Sequence, residues 1–163
     1  MLNNLSPASP TVLLIAAAIL VAVVARQLQA RRLRPARLAV LPAALLLFGL
    51  QDAPLLAGMD AVQALLLAVS VAGGAVLGAA RGYTFRVWVD ATGQVWSRGT
   101  WLTLVLWAGL IVFRIAAGAA GHLAGGSTQM MAVEIVLTVA FNFAAQNAVL
   151  WLRRPAPVAM ARA

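Results

Sequence analysis

Residues 109–118 read GLIVFRIAAG, and Arg114 is the one charged side chain in the apolar run from Trp101 to Ala120. A helix of about 20 apolar residues matches the hydrocarbon thickness of a bilayer. A guanidinium in that layer is costly unless it faces the protein interior and finds partners there. The run is therefore either a membrane span with a buried, partnered arginine or a core helix of a soluble domain. Composition decides between them. Of 163 residues, 63% are hydrophobic and 10% charged, against roughly 25% charged in an ordinary soluble domain. Mean hydropathy is +0.93. A soluble globule of this size needs far more polar surface, so the chain reads as an integral membrane protein with one compact helical domain.

Working outward from Arg114, four further apolar stretches appear, at about Thr11–Gln29, Leu38–Ala57, Asp60–Ala80 and Gln129–Leu152. With the run at 101–120 they predict five spans. Pro42 falls near the start of the second, a first-turn or kink position, and Pro54 and Gly58 punctuate its end. The leading MLNNLSPASP carries no basic residue, unlike a cleaved signal, so the first span reads as an anchor.

All 12 basic residues are arginine. Arg26, Arg31, Arg32, Arg34 and Arg37 follow the first span; Arg81, Arg86 and Arg98 follow the third; Arg153, Arg154 and Arg162 follow the fifth. The intervening connections and the amino terminus hold none. By the positive-inside rule the amino terminus lies outside and the carboxyl terminus in the cytoplasm. The net charge of +8 is thus explained by topology, without a nucleic-acid partner.

The segment YTFRVWVDATGQVWSRG, 83–99, is the longest stretch unlike a span. Alternation on either side of DATG, with Gly93 free to take positive φ, predicts a cytoplasmic β-hairpin over 84–98 with strands Thr84–Val89 and Gln94–Arg98. Trp88, Trp96 and Trp101 suit the headgroup level, and Arg86 and Arg98 can contact lipid phosphates. The hairpin reads as an interfacial clip, or as a docking site for a cytoplasmic partner.

Arg114 sits about seven residues, or roughly 10 Å, inside the outer end of its helix. The fifth span runs the opposite way, and Glu134 lies about five residues, or roughly 8 Å, inside the same face. An Arg114–Glu134 ion pair is expected. Glu134, Thr138, Asn142 and Gln146 recur every four residues and line one helix face, with Asn147 beside them. Ser70, Gly74 and Gly78 form a small-xxx-small ridge on the third span. The stripe is expected to face spans three and four, either as interhelical glue or as the lining of an outer polar cavity around Arg114, Glu134 and Asn142.

Together, RPARLAVLP (34–42), DAVQALLLAVSVAGGAVLGAARG (60–82), YTFRVWVDATGQVWSRGTW (83–101) and LIVFRIAAG (110–118) resemble the CcdC-like family of small bacterial membrane proteins. That pattern has Arg-Pro before the second span, a small-residue third span, a short strand pair and an arginine in the fourth span. The resemblance, over roughly Arg34–Gly118, implies a five-span fold and a bacterial plasma membrane. The family is named for proximity to cytochrome c maturation, and its chemistry is not established. This chain has no cysteine, so it carries no thiol-disulfide chemistry.

The expected fold is an all-α five-helix membrane domain over 1–152 with a disordered cytoplasmic tail over 153–163. No phosphate loop, nucleophile–base set or metal constellation stands out, so no catalytic residue, metal or cofactor is assigned. His122 reads as a loop residue, Met130 and Met131 as packing, and Asp52 and Asp60 as solvated caps. Three functions follow. The first is an accessory or interaction protein of the bacterial inner membrane, assembling with another membrane protein or with a second copy of itself. The second is a small-ligand or ion binding or transport protein using the outer cavity. The third is a haem- or quinone-binding redox accessory.

Overall fold

The structure is a computed structural model and describes residues 21–22, 25, 28–51, 53–125 and 127–155. The first expected span, most of the tail and Asp52 lie largely or wholly outside the described residues. The elements, in chain order, are β1 (Arg31–Arg32), α1 (Pro35–Leu50), α2 (Ala53–Ala57), α3 (Ala61–Thr84), β2 (Arg86–Val89), β3 (Val95–Arg98), α4 (Trp101–Leu123) and α5 (Thr128–Leu152). Among these, α3, α4 and α5 are long and apolar enough to cross a membrane.

Local chemistry sets the helix starts. Asp60 accepts from the Gln63 amide at 2.8 Å, and the Gln63 side chain accepts from the Asp60 amide at 3.3 Å, a reciprocal cap on α3. Ser127 Oγ accepts from the Met130 amide at 3.2 Å and opens α5. At the start of α4, Thr100 Oγ1 donates to the Thr84 carbonyl at 2.9 Å, and the Thr84 and Thr103 hydroxyls meet at 2.8 Å. These bonds tie the end of α3 to the beginning of α4.

The stretch expected as one second span, 38–57, is broken in two. Pro42 is accommodated inside α1, which ends at Leu50. The five-residue α2 starts separately at Ala53, with Pro54 in its first turn, where the missing N–H has no helical partner to lose. The third span is longer than expected: α3 continues to Thr84 rather than ending near Ala80. Arg81 is consequently a helical residue, not part of the connection. His122 likewise lies in the last turn of α4, not in a loop.

Helix α5 packs against both α3 and α1, and α4 packs mainly on α3 while its Arg114 and Trp107 also reach α5. The polarity is inverted relative to a soluble domain. Val69, Val76, Val112 and Ile115 are more than half exposed, while Ser70, Arg81, Thr103, Thr138, Asn142 and Gln146 are buried. Exposed apolar faces around a buried polar seam are compatible with lipid contact.

The sheet is three-stranded and antiparallel, in the order β1–β3–β2, rather than the lone hairpin expected. The added strand is Arg31–Arg32, paired with Ser97 and Trp96. Across β2 and β3, Arg86 faces Arg98 and Trp88 faces Trp96. Gly93 turns the chain at φ +75°. A third strand relieves the marginal stability of an isolated hairpin. The sheet gathers Arg31, Arg32, Arg86 and Arg98 at the end of the bundle where α3 ends, α4 begins and α5 finishes.

Candidate functional site

The seam between α3 and α5 begins with the absence of side chains. A Cβ on Gly78 would collide with the Asn142 carbonyl, and one on Gly74 would lie 2.5 Å from Thr138 Cγ2. The two backbones approach that closely because α3 offers glycine there, as small-residue ridges allow in membrane helices. Asn142 Nδ2 uses the proximity to donate to the Gly74 carbonyl at 2.7 Å.

Toward the α4–α5 connection, Arg114 reaches from α4 into the seam. Its Nη1 donates to Ser70 Oγ at 2.8 Å, Glu134 Oε1 at 3.0 Å and Thr138 Oγ1 at 3.4 Å. The ion pair is mostly shielded, its partners 14% and 12% exposed. Thr138 also donates to Ser70 at 3.3 Å. The sequence candidates Arg114, Glu134, Thr138 and Ser70 are thus one hydrogen-bonded cluster.

The candidates Asn142 and Gln146 belong to a second cluster that the sequence reading missed. Its centre is Arg81, 1% exposed. Arg81 Nη2 donates to Asn142 Oδ1 at 2.6 Å, and its Nε donates to Gln146 Oε1. The guanidinium carbon lies 4.3 Å from the Trp107 ring centre and 5.3 Å from that of Phe143, and those two rings meet edge to face. No carboxylate lies in ion-pair contact with Arg81 among the described residues. Two neutral amides and two ring faces stabilise the cation instead. Arg81 Nη1 and Arg114 Nε are buried without a hydrogen-bond partner among the described residues. The missed signal was spacing: Arg81 follows Gly74 by seven residues and Gly78 by three, which puts it on the same helix face.

Further bonds join the seam to its surroundings. Asn147 Nδ2 donates to the Leu38 carbonyl of α1 at 2.7 Å. Arg153 Nη1 donates to the carbonyls of Gly82, Tyr83 and Phe85 at 2.8–3.2 Å, satisfying the end of α3. In the β2–β3 turn, the Asp90 carboxylate accepts from the Thr92 hydroxyl at 2.6 Å, the Gln94 amide at 2.9 Å and the Trp96 indole at 2.8 Å. These bonds, that from Thr92 foremost, hold the Asp90 carboxyl down at about 2. Arg98 Nε donates to the Leu28 carbonyl at 2.9 Å.

A pocket lies at the Arg114–Glu134 end of the seam. Its volume is about 40 Å³, and it lies among Met59, Gln63, Leu66, Met130, Met131 and Glu134. Arg114 and Asn142 do not line it; of the seam, only Glu134 does. That volume holds a few waters. Among the described residues, no three of His, Cys, Asp and Glu gather in a metal-ligating arrangement. Comparison of the chain with known protein families, curated proteins and solved structures found no match.

Proposed function

We propose that the chain is a five-span accessory or interaction protein of the bacterial inner membrane, amino terminus outside and carboxyl terminus cytoplasmic. It works by assembling with another membrane component rather than by catalysis. The observation that carries this reading is the mutual engagement of the seam's neutral polar side chains. Ser70, Thr138, Asn142 and Gln146 are buried and bonded to one another or to the two arginines. Groups so engaged act as glue between helices and leave the outer surfaces for recognition. The clustering of Arg31, Arg32, Arg86 and Arg98 at the sheet end supports the orientation. The resemblance to the CcdC-like family is part of the same proposal.

Crosslinking in native membranes, followed by purification through a carboxyl-terminal tag and mass spectrometry, tests the function. A stoichiometric membrane partner, or a second copy of the chain, is expected. A monomer that activates no complex and recovers no partner contradicts the reading. Fusion of a cytoplasm-active reporter to the carboxyl terminus tests the orientation.

A second reading follows from the pocket that ends on Glu134. Its size restricts an occupant to water, a proton or a small ion, narrowing the idea of an outer ligand cavity. Under this reading Glu134→Gln leaves a folded protein that has lost function; under the first it lowers stability in detergent.

A further inference from the structure

We propose that the sheet end of the bundle carries a binding groove for one anionic phospholipid, with its phosphate held between Arg86 and Arg153. The groove, about 660 Å³, lies between the end of α3, strand β2 and the first turn of α4. Arg86 and Arg153 supply its charge, Arg153 through the guanidinium nitrogens other than the Nη1 that bonds the Gly82, Tyr83 and Phe85 carbonyls, and Tyr83, Trp88, Trp101 and Leu102 supply its walls. No carboxylate lines it. This inference rests on the chain lying in a bilayer, as proposed above.

Three observations favour such an occupant. First, Arg86 lines the groove, whereas Arg98, opposite it across the β2–β3 ladder, does not. Arg98 is engaged with the Leu28 carbonyl, while no carboxylate among the described residues pairs with Arg86. Second, Tyr83 and Trp101 are 65% and 68% exposed at the ends of two helices long enough to span a membrane. Rings with an apolar body and a polar tip are favoured at that depth. Third, the groove joins charge to apolar wall. The arginines meet a phosphate, and Leu102 with the Trp101 ring meets the first methylenes of an acyl chain. A zwitterionic headgroup brings an ammonium toward the same two guanidiniums, so a net negative headgroup is preferred. The site therefore uses Arg86 with Arg153, not the Arg86–Arg98 pair that the hairpin sequence brings to mind.

The test uses the full chain, purified in detergent and titrated with phosphatidylglycerol or phosphatidylcholine under native mass spectrometry. Wild type is expected to retain one phosphatidylglycerol in clear preference to phosphatidylcholine. Arg86→Gln is expected to weaken phosphatidylglycerol binding roughly fivefold, Arg86→Lys to recover most of it, and Arg98→Gln to leave it unchanged. Thermal unfolding without added lipid separates lost binding from lost fold; if Arg86→Gln does not fold, the wild-type preference alone decides. Equal binding of the two lipids overturns the proposal. So does an effect of Arg98→Gln as large as that of Arg86→Gln, or displacement of the lipid by millimolar inorganic phosphate. A chain that stays in membranes through an alkaline carbonate wash but shows no preference loses the lipid site and keeps the membrane reading. One that washes off loses both.

Discussion

Two arginines enter the α3–α5 seam, Arg114 from α4 and Arg81 from α3 itself, and the protein accommodates them by different chemistry. Arg114 meets a carboxylate and two hydroxyls. Arg81 meets two amide oxygens and two aromatic faces. The first solution is charge neutralisation near a water-sized pocket. The second is dispersal of a buried cation over neutral dipoles and π-faces. A guanidinium suits both because its planar fork donates in several directions and stacks on rings. The difference teaches that a buried arginine in an apolar helix needs acceptor-bearing surroundings, and that a counter-ion is only one way to supply them.

That contrast ranks the substitutions. Arg81→Met preserves bulk but leaves the Asn142 and Gln146 carbonyls without donors. It is expected to cost roughly 3 kcal/mol in detergent unfolding, the largest single loss, and Arg81→Lys is expected to recover less than half. A smaller cost for Arg81→Met than for Arg114→Met would break the ranking. Gly78→Val forces a side chain against the Asn142 backbone and is expected to cost about 2 kcal/mol. Gly109, whose Cβ position is open, is expected to accept alanine with a change under about 0.5 kcal/mol. Glu134→Gln keeps the bonds from Arg114 to Ser70 and Thr138 and loses only the charge, so about 1 kcal/mol is expected. The double variant Arg114→Met/Glu134→Met removes both charges and is expected to recover part of that loss. A double variant worse than the sum of the singles would refute glue by neutralisation.

The smallest effect concerns the sheet. The Asp90 carboxyl is held at about 2, below its ordinary 3.8, by bonds that favour its ionised form. Its contribution is therefore complete above the ordinary value and is lost as pH falls from near 4 through about 2. Trp96 emission, read in an acid titration, is expected to change within that window. Asp90→Asn is expected to abolish the change.

Much of the seam was legible because it rests on period and polarity. Glu134, Thr138, Asn142 and Gln146 at four-residue spacing declare a face, Ser70, Gly74 and Gly78 declare its complement, and depth matching pairs Arg114 with Glu134. Arg81 escaped because Ala80-Arg81-Gly82 reads locally like a cytoplasmic helix end, where arginine is expected on topological grounds. Only its register with Gly74 and Gly78 distinguishes it. The break in 38–57 was marked by Pro54, yet apolar run length outweighed it. Strand β1 was hidden because two arginines carry no alternating pattern; their pairing with Ser97 and Trp96 is a tertiary fact. A polar stripe shows which groups face inward, not whether they close on one another, so the bonding of Asn142 and Gln146 to Arg81 was not legible.

The facing of α3 and α5 along the seam can be measured directly, since the chain has no cysteine of its own. Ser70 Oγ and Thr138 Oγ1 lie 3.3 Å apart. The substitutions Ser70→Cys and Thr138→Cys, with a protease site inserted between Ala91 and Thr92, allow oxidation in native membranes followed by cleavage and non-reducing electrophoresis. The two halves are expected to stay joined, and to separate when Thr138→Cys is replaced by Ile135→Cys on the exposed face of α5. Halves that separate with the first pair, or stay joined equally with the second, would contradict the seam on which both arginine sites depend.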